Sequence, residues 1–152
     1  MRKYTLICTL ISIILMGTIG CSNRIVENDV EVENFVPSGL KSEIGSGEFV
    51  ITTPTVNSEN DVPVIFVDEL KGLAQLDFQS EGFDGSRCSY IYIDGKLNTI
   101  EQLGEMNLDT LTIDEEQLSN GTHKVEVVQF DNNKSNGTPV TYKVCNYEVR
   151  VK

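Results

Sequence analysis

The chain is 152 residues long, with 23 acidic against 12 basic side chains, a formal net charge of −11 at neutral pH and a single histidine. That length leaves room for one hydrophobic core beyond a leader segment, and the negative surplus repels nucleic acid and anionic headgroups, which excludes a nucleic-acid partner. Every histidine-dependent catalytic scheme must rest on His123.

Arg2 and Lys3 precede an apolar stretch, residues 4–19, interrupted only by Thr, Ser and Gly. A basic start, a short greasy run and a small residue before the cut describe a secretory signal over residues 1–20. The run stops short of the roughly 20 apolar residues a spanning helix needs, so cleavage is expected over permanent insertion. Thr18-Ile19-Gly20-Cys21 then resembles the bacterial lipobox, with Thr18 in place of the usual Leu. The resemblance implies a palmitate-type diacylglycerol anchor on the Cys21 thiol and a place at the cell membrane, on its extracytoplasmic face. Each buried CH₂ contributes about 0.8 kcal/mol, and two or more chains hold stably where one does not. From Cys21 onward ten basic side chains face 23 acidic ones, so the processed chain is more acidic than its precursor.

Residues 21–47 are rich in Glu, Asn, Ser and Gly without a sustained period, the pattern of an acidic tether. As a coil it spans roughly 30 Å root-mean-square. The remainder, residues 48–152, is expected to form one domain with no internal repeat. Its dominant period is two. Phe49-Val50-Ile51 opens it; Val62, Val64 and Phe66 form a second run, and Ala74, Leu76 and Phe78 a third. Cys88-Ser-Tyr-Ile-Tyr-Ile is a strong strand closed by Asp94-Gly95, and Leu111 and Ile113 alternate with threonines. Val125 and Val127 change phase to Val128 and Phe130. Val140, Tyr142 and Val144 change phase to Cys145, Tyr147, Val149 and Val151. A phase change of this kind is what a β-bulge produces. Only residues 98–106 offer a turn or two of helix, and Gly104 weakens it. Short alternating strands with Gly, Asn and Asp between them point to an all-β sandwich or barrel.

Two stretches carry a resemblance. Tyr92-Ile93-Asp94-Gly95-Lys96 resembles the strand-then-turn of bacterial immunoglobulin-like surface modules. Leu118, Gly121, His123, Val125 and Val127, followed by Asp131-Asn132-Asn133, resemble their penultimate strand and the hairpin after it. The resemblance covers residues 88–152 and implies a single immunoglobulin-like β-sandwich; it says almost nothing about a ligand. In that motif Asn120-Gly121 takes the positive φ of a tight turn, Leu118 plugs the core, and His123 hydrogen-bonds back across the turn.

Cys88 and Cys145 are the cysteines left in the folded part, and outside the cytoplasm an even pair suggests a disulfide. Closing that loop contributes roughly 4 kcal/mol on the chain-entropy model. The strand order implied by the resemblance places another strand between them, at odds with the Cα separation of about 7 Å or less that a disulfide needs. No G-x-S-x-G, H-E-x-x-H or P-loop occurs, and no metal or cofactor is expected. Asp131-Asn-Asn-Lys-Ser-Asn-Gly137 fails the EF-hand template and reads as a hairpin loop. Asp109, Asp114, Glu115 and Glu116 read as solvated loop charge. With Ile91 and Ile93 facing the core, Tyr90 and Tyr92 are expected on an exposed sheet face, as a surface for a partner.

These features point to a membrane-anchored lipoprotein that displays a non-catalytic immunoglobulin-like module for binding or assembly. Its expected partners are the bilayer, through acylated Cys21, and a protein or glycan of the cell envelope. The alternative is an envelope enzyme, or an enzyme-inhibitor or immunity lipoprotein. The enzyme needs polar groups converging on His123; the inhibitor needs a rigid projecting loop at residues 131–139.

Overall fold

The computed structural model describes residues 35–40, 42–52, 61–67 and 74–151. Its strands are β1 (Glu48–Thr52), β2 (Val64–Val67), β3 (Ala74–Glu81), β4 (Ser89–Ile93), β5 (Lys96–Glu101), β6 (Met106–Ile113), β7 (Gly121–Phe130) and β8 (Pro139–Val151). They form two sheets, ordered β1-β3-β6 and β2-β8-β7-β4-β5. All pairs are antiparallel except β2, which runs parallel beside β8. The fold is the expected all-β, immunoglobulin-like sandwich. Residues 98–106 are not helical: β5 ends, a tight loop follows and β6 begins.

The inner faces meet in one core. Ile51 on β1, Leu76 and Phe78 on β3, Ile91 and Ile93 on β4, and Leu111 and Ile113 on β6 are buried there with Val125, Val127, Tyr147 and Val149. Phe49 stacks on Phe78 at 4.8 Å. The run expected at Val62, Val64 and Phe66 turns the other way. Ile65 and Val67 pack against the core, while Phe66 stays exposed, because the parallel register on β8 sets which side of β2 faces in.

The five-stranded sheet is also buried on its outer face. Tyr90, Tyr92, Val128, Phe130 and Tyr142 form a second cluster there, with Val36 and Leu40 packed on it. Val36 N–H donates to Gly95 O at 2.9 Å, and Ile44 exchanges backbone bonds with Tyr142 at 3.0 and 3.1 Å. The domain therefore begins before residue 48: residues 35–40 and 42–47 are a strap over the sheet, not the end of a tether.

Two expectations are corrected by this strap. Tyr90 and Tyr92 are not an exposed binding surface; Tyr90 is 6% exposed and Tyr92 fully buried. The phase changes in β7 and β8 are not bulges either, since the register runs unbroken from Val125↔Cys145 through Val128↔Tyr142. Apolar residues of both phases occur because both faces of the sheet are covered. The irregularities lie elsewhere, between Ile91 and Tyr92 and between Gln129 and Phe130.

The Cys88–Cys145 bond is not made. Cys145 is buried in the inner core with its thiol unoxidised, whereas Cys88 joins the outer cluster on the opposite side of the sheet. Strand β7 also separates β4 from β8.

Candidate functional site

Three connections meet at one end of the sandwich: residues 82–88 between β3 and β4, 102–105 between β5 and β6, and 131–138 between β7 and β8. The β7–β8 loop holds its own shape. Asp131 N–H donates to Thr138 O at 3.0 Å, Thr138 N–H to Asp131 Oδ1 at 2.9 Å, and Gly137 N–H to Lys134 O at 2.9 Å. The Asn132 carboxamide accepts from Lys134 N–H at 2.9 Å, the local turn chemistry that Asn favours. Asn133 takes φ of 58°, a left-handed conformation its short polar side chain tolerates. At Gly137 a Cβ would collide with the side-chain ends of Asn132 and Asp131, so a larger residue there would require both to move.

The first loop is tied to this one through Arg87 and Asn133. Arg87 Nη1 donates to Phe130 O and to Asp131 O, both at 2.9 Å, while its Nε donates to Asp84 Oδ2 at 2.9 Å. Asn133 Oδ1 accepts from Cys88 N–H at 3.1 Å, and Tyr90 Oη donates to Asn133 O at 3.0 Å. Bonds to the Ser86 hydroxyl and amide, then the Arg87 guanidinium, hold the Asp84 carboxyl below its ordinary value. The middle loop joins through Gln102 Nε2 to Gly85 O at 2.6 Å, Phe83 N–H to Gly104 O and Gly82 N–H to Glu105 O, the last two at 3.1 Å. Beneath them Gln129, fully buried, donates from Nε2 to Asp84 O and Ser89 Oγ, each at 3.0 Å.

The result is a cross-linked three-loop platform. It presents Asp84, Ser86, Gln102, Asn132, Lys134 and Asn136 to solvent. Beside it β6 offers two large exposed apolar residues, Met106 and Leu108 at 65% and 73%, the first paired with Glu81 next to the loops. This end carries the recognition loops in antibody variable domains, and Ser, Gly and Asn supply adaptable hydrogen bonding in such loops. Asp84 and Arg87 were not singled out from sequence. The signal was present in Asp84-Gly-Ser-Arg87, a turn whose Asp accepts from Ser86 N–H at 3.0 Å, but its partner loop lies more than 40 residues away.

His123 lies at the other end and is used up structurally. Its Nδ1 contacts Asp94 Oδ2 and its Nε2 contacts Ser119 O, both at 2.7 Å, and its ring stacks on Tyr147 at 5.0 Å. The two resemblance motifs are thus one corner. Asp94 and Gly95 take positive φ in the β4–β5 turn, and Asp94 Oδ1 accepts from Lys124 N–H at 2.9 Å. Leu118 packs against the core as expected. In the acidic stretch beside the corner, Asp114 accepts from Glu116 and Gln117 N–H. Among the described residues no group of three or more His, Cys, Asp and Glu converges to hold a metal ion.

Burial raises the hydroxyl pKa of Tyr90, Tyr142 and Tyr147 above the ordinary value of 10.0. Glu126 adds to the effect at Tyr142, and the charges of Asp94 and Asp114 add at Tyr147, while the Ser135 amide opposes it at Tyr90. Tyr142 Oη donates to the buried Glu126 Oε1 at 2.6 Å. A pKa raised on folding contributes stability that is whole below the unfolded value and lost as pH climbs past it. Absorbance at the phenolate band should therefore show these tyrosines titrating above pH 10, together with loss of the β-sheet circular dichroism.

No protein-family model and no curated protein matches the chain. Among solved structures it is similar to a lytic polysaccharide monooxygenase of Jonesia denitrificans, at 18% identity and a TM-score of 0.36, covering 60% of this chain and 58% of that one. The match thus spans less than two thirds of either chain, and the likeness transfers no activity. The likeness is to an enzyme and so lends no support to the expected non-catalytic display and assembly module.

Proposed function

We propose that this chain is an envelope lipoprotein of the inhibitor or immunity type, acting on a protein of its own compartment through the three-loop platform. The observation that carries it is preorganisation. Loop 131–138 is braced by its own bonds and by Arg87, Asn133 and Tyr90 before any partner arrives. Loops already in their bound shape avoid the ordering cost of about 0.5–1.5 kcal/mol per immobilised side chain.

Envelope extract passed over immobilised protein should yield a retained protein that elutes from wild type and is lost with Lys134→Glu. Only the backbone of Lys134 supports the loop, so this variant alters recognition and leaves the shape alone. Equal retention by both proteins, or retention of glycan alone, would refute the proposal.

The anchor belongs to the same reading. Acylated Cys21 holds the domain at the membrane on the extracytoplasmic side, supported by the Gly20-Cys21 junction and the apolar run before it. Labelled palmitate should enter wild type and not Cys21→Ala. Label that persists in Cys21→Ala ends the lipoprotein part.

A further inference from the structure

Among the described residues the sandwich is open along one side, and within its sheet β1 pairs only with β3. Strand β8 meets β2 over Glu148–Val151 and the strap at the single bridge Ile44↔Tyr142. Between those two contacts, residues 143–147 of β8 have β7 on one side and, among the described residues, no hydrogen-bonded strand on the other, where β1 of the facing sheet lies across the groove. A groove of about 530 Å³ lies there, lined by Glu43, Glu48, Val50, Val62, Lys143 and Asn146 among others.

Following the backbone along this edge shows what the groove lacks. Tyr142 N–H donates to Ile44 O, Val144 N–H to Glu43 Oε1 at 3.0 Å, and Glu148 N–H to Pro63 O at 2.8 Å. Alternate residues of a strand send their backbone groups to the same side, so the N–H and C=O of Asn146 point outward too. At Val144 a carboxylate oxygen stands where a neighbouring strand would place a carbonyl. An open row of this kind is a template for another strand, with main-chain bonds giving affinity and alternate side chains giving selectivity. The rim sets the sign of the guest. Glu43 and Glu48 flank the opening, Glu48 sits opposite Glu81, and the one cation, Lys143, has a largely buried side chain 3.8 Å from Glu43.

We infer that this groove is a second binding site, distinct from the loop platform, that takes an extended basic peptide segment as an added strand along β8 at Asn146. The probe is a hexapeptide of alternating lysine and valine, compared with its glutamate–valine counterpart and with a backbone N-methylated lysine–valine version, each titrated into the full chain. The lysine peptide should slow hydrogen exchange at the Asn146 amide and bind about tenfold more tightly than the glutamate peptide. Glu48→Lys should erase that difference, while Lys134→Glu, which tests the platform, should leave it intact. Unchanged exchange at Asn146, equal affinity for both charges, or undiminished binding of the N-methylated peptide would each overturn the inference.

Discussion

Arg87→Met should uncouple the two longer loops of the platform and abolish retention of the envelope partner while the sandwich stays folded. Its guanidinium bridges Asp84 to the carbonyls of Phe130 and Asp131, and methionine keeps the side chain's length without its donors. Losing the two bonds to carbonyls is expected to cost about 1–2 kcal/mol of stability. The larger effect falls on binding, where a misplaced loop forfeits contacts that truncation of a central residue typically shows to be worth about 2 kcal/mol or more. Titration calorimetry with the retained partner should show at least about a thirtyfold weaker complex, and denaturant unfolding should show a midpoint lowered with an unchanged slope. Asp84, held first by the Ser86 hydroxyl and amide and then by Arg87, gives the platform an acid limit. Because Asp84's pKa is lowered on folding, its contribution is whole above the ordinary value of 3.8 and is lost as pH falls below it. Partner retention should therefore persist through mildly acidic buffers and fail only in stronger acid.

His123→Leu should be the most destabilising polar substitution in the domain and should leave recognition intact in whatever fraction remains folded. The side chain is 6% exposed, and it holds Asp94 on the β4–β5 turn to Ser119 beside the short 3₁₀ turn Glu116–Leu118. Removing it leaves a carboxylate and a carbonyl facing an apolar group, a cost of about 2–4 kcal/mol. For a domain of this size that lowers the melting temperature by roughly 10 °C or more. Asp94→Asn should cost less, because an amide oxygen still accepts from Lys124 N–H. A melting temperature unchanged in His123→Leu would contradict the corner as described.

The corner shows what a sequence displays well. Asp94-Gly95 and Asn120-Gly121 are local turn signals, and the alternation after each tells how the chain leaves the turn. The strands of the inner core were legible for the same reason, since Leu76, Phe78, Leu111 and Ile113 are two apart and face one way. What escaped was long-range. Val36 and Leu40 sit among Pro37, Ser38 and Gly39, with too little apolar pattern to announce a strap. Without the strap, burial on the outer face of the sheet looked like bulges in β7 and β8 and like an exposed pair at Tyr90 and Tyr92. The platform escaped for a related reason. Asp84, Arg87 and Asn133 are ordinary turn residues separately, and they become a unit only because β4 and β7 are neighbours.

Hydrogen exchange of the partner-free protein tests preorganisation of the platform most directly. The amides of Cys88, Asp131, Lys134, Gly137 and Thr138 each donate within or between its loops. They should exchange slowly, with protection approaching that of β7 and β8. Exchange at the rate of an unstructured peptide would mean that the loops are shaped only by a partner, and the proposed mode of action would be wrong.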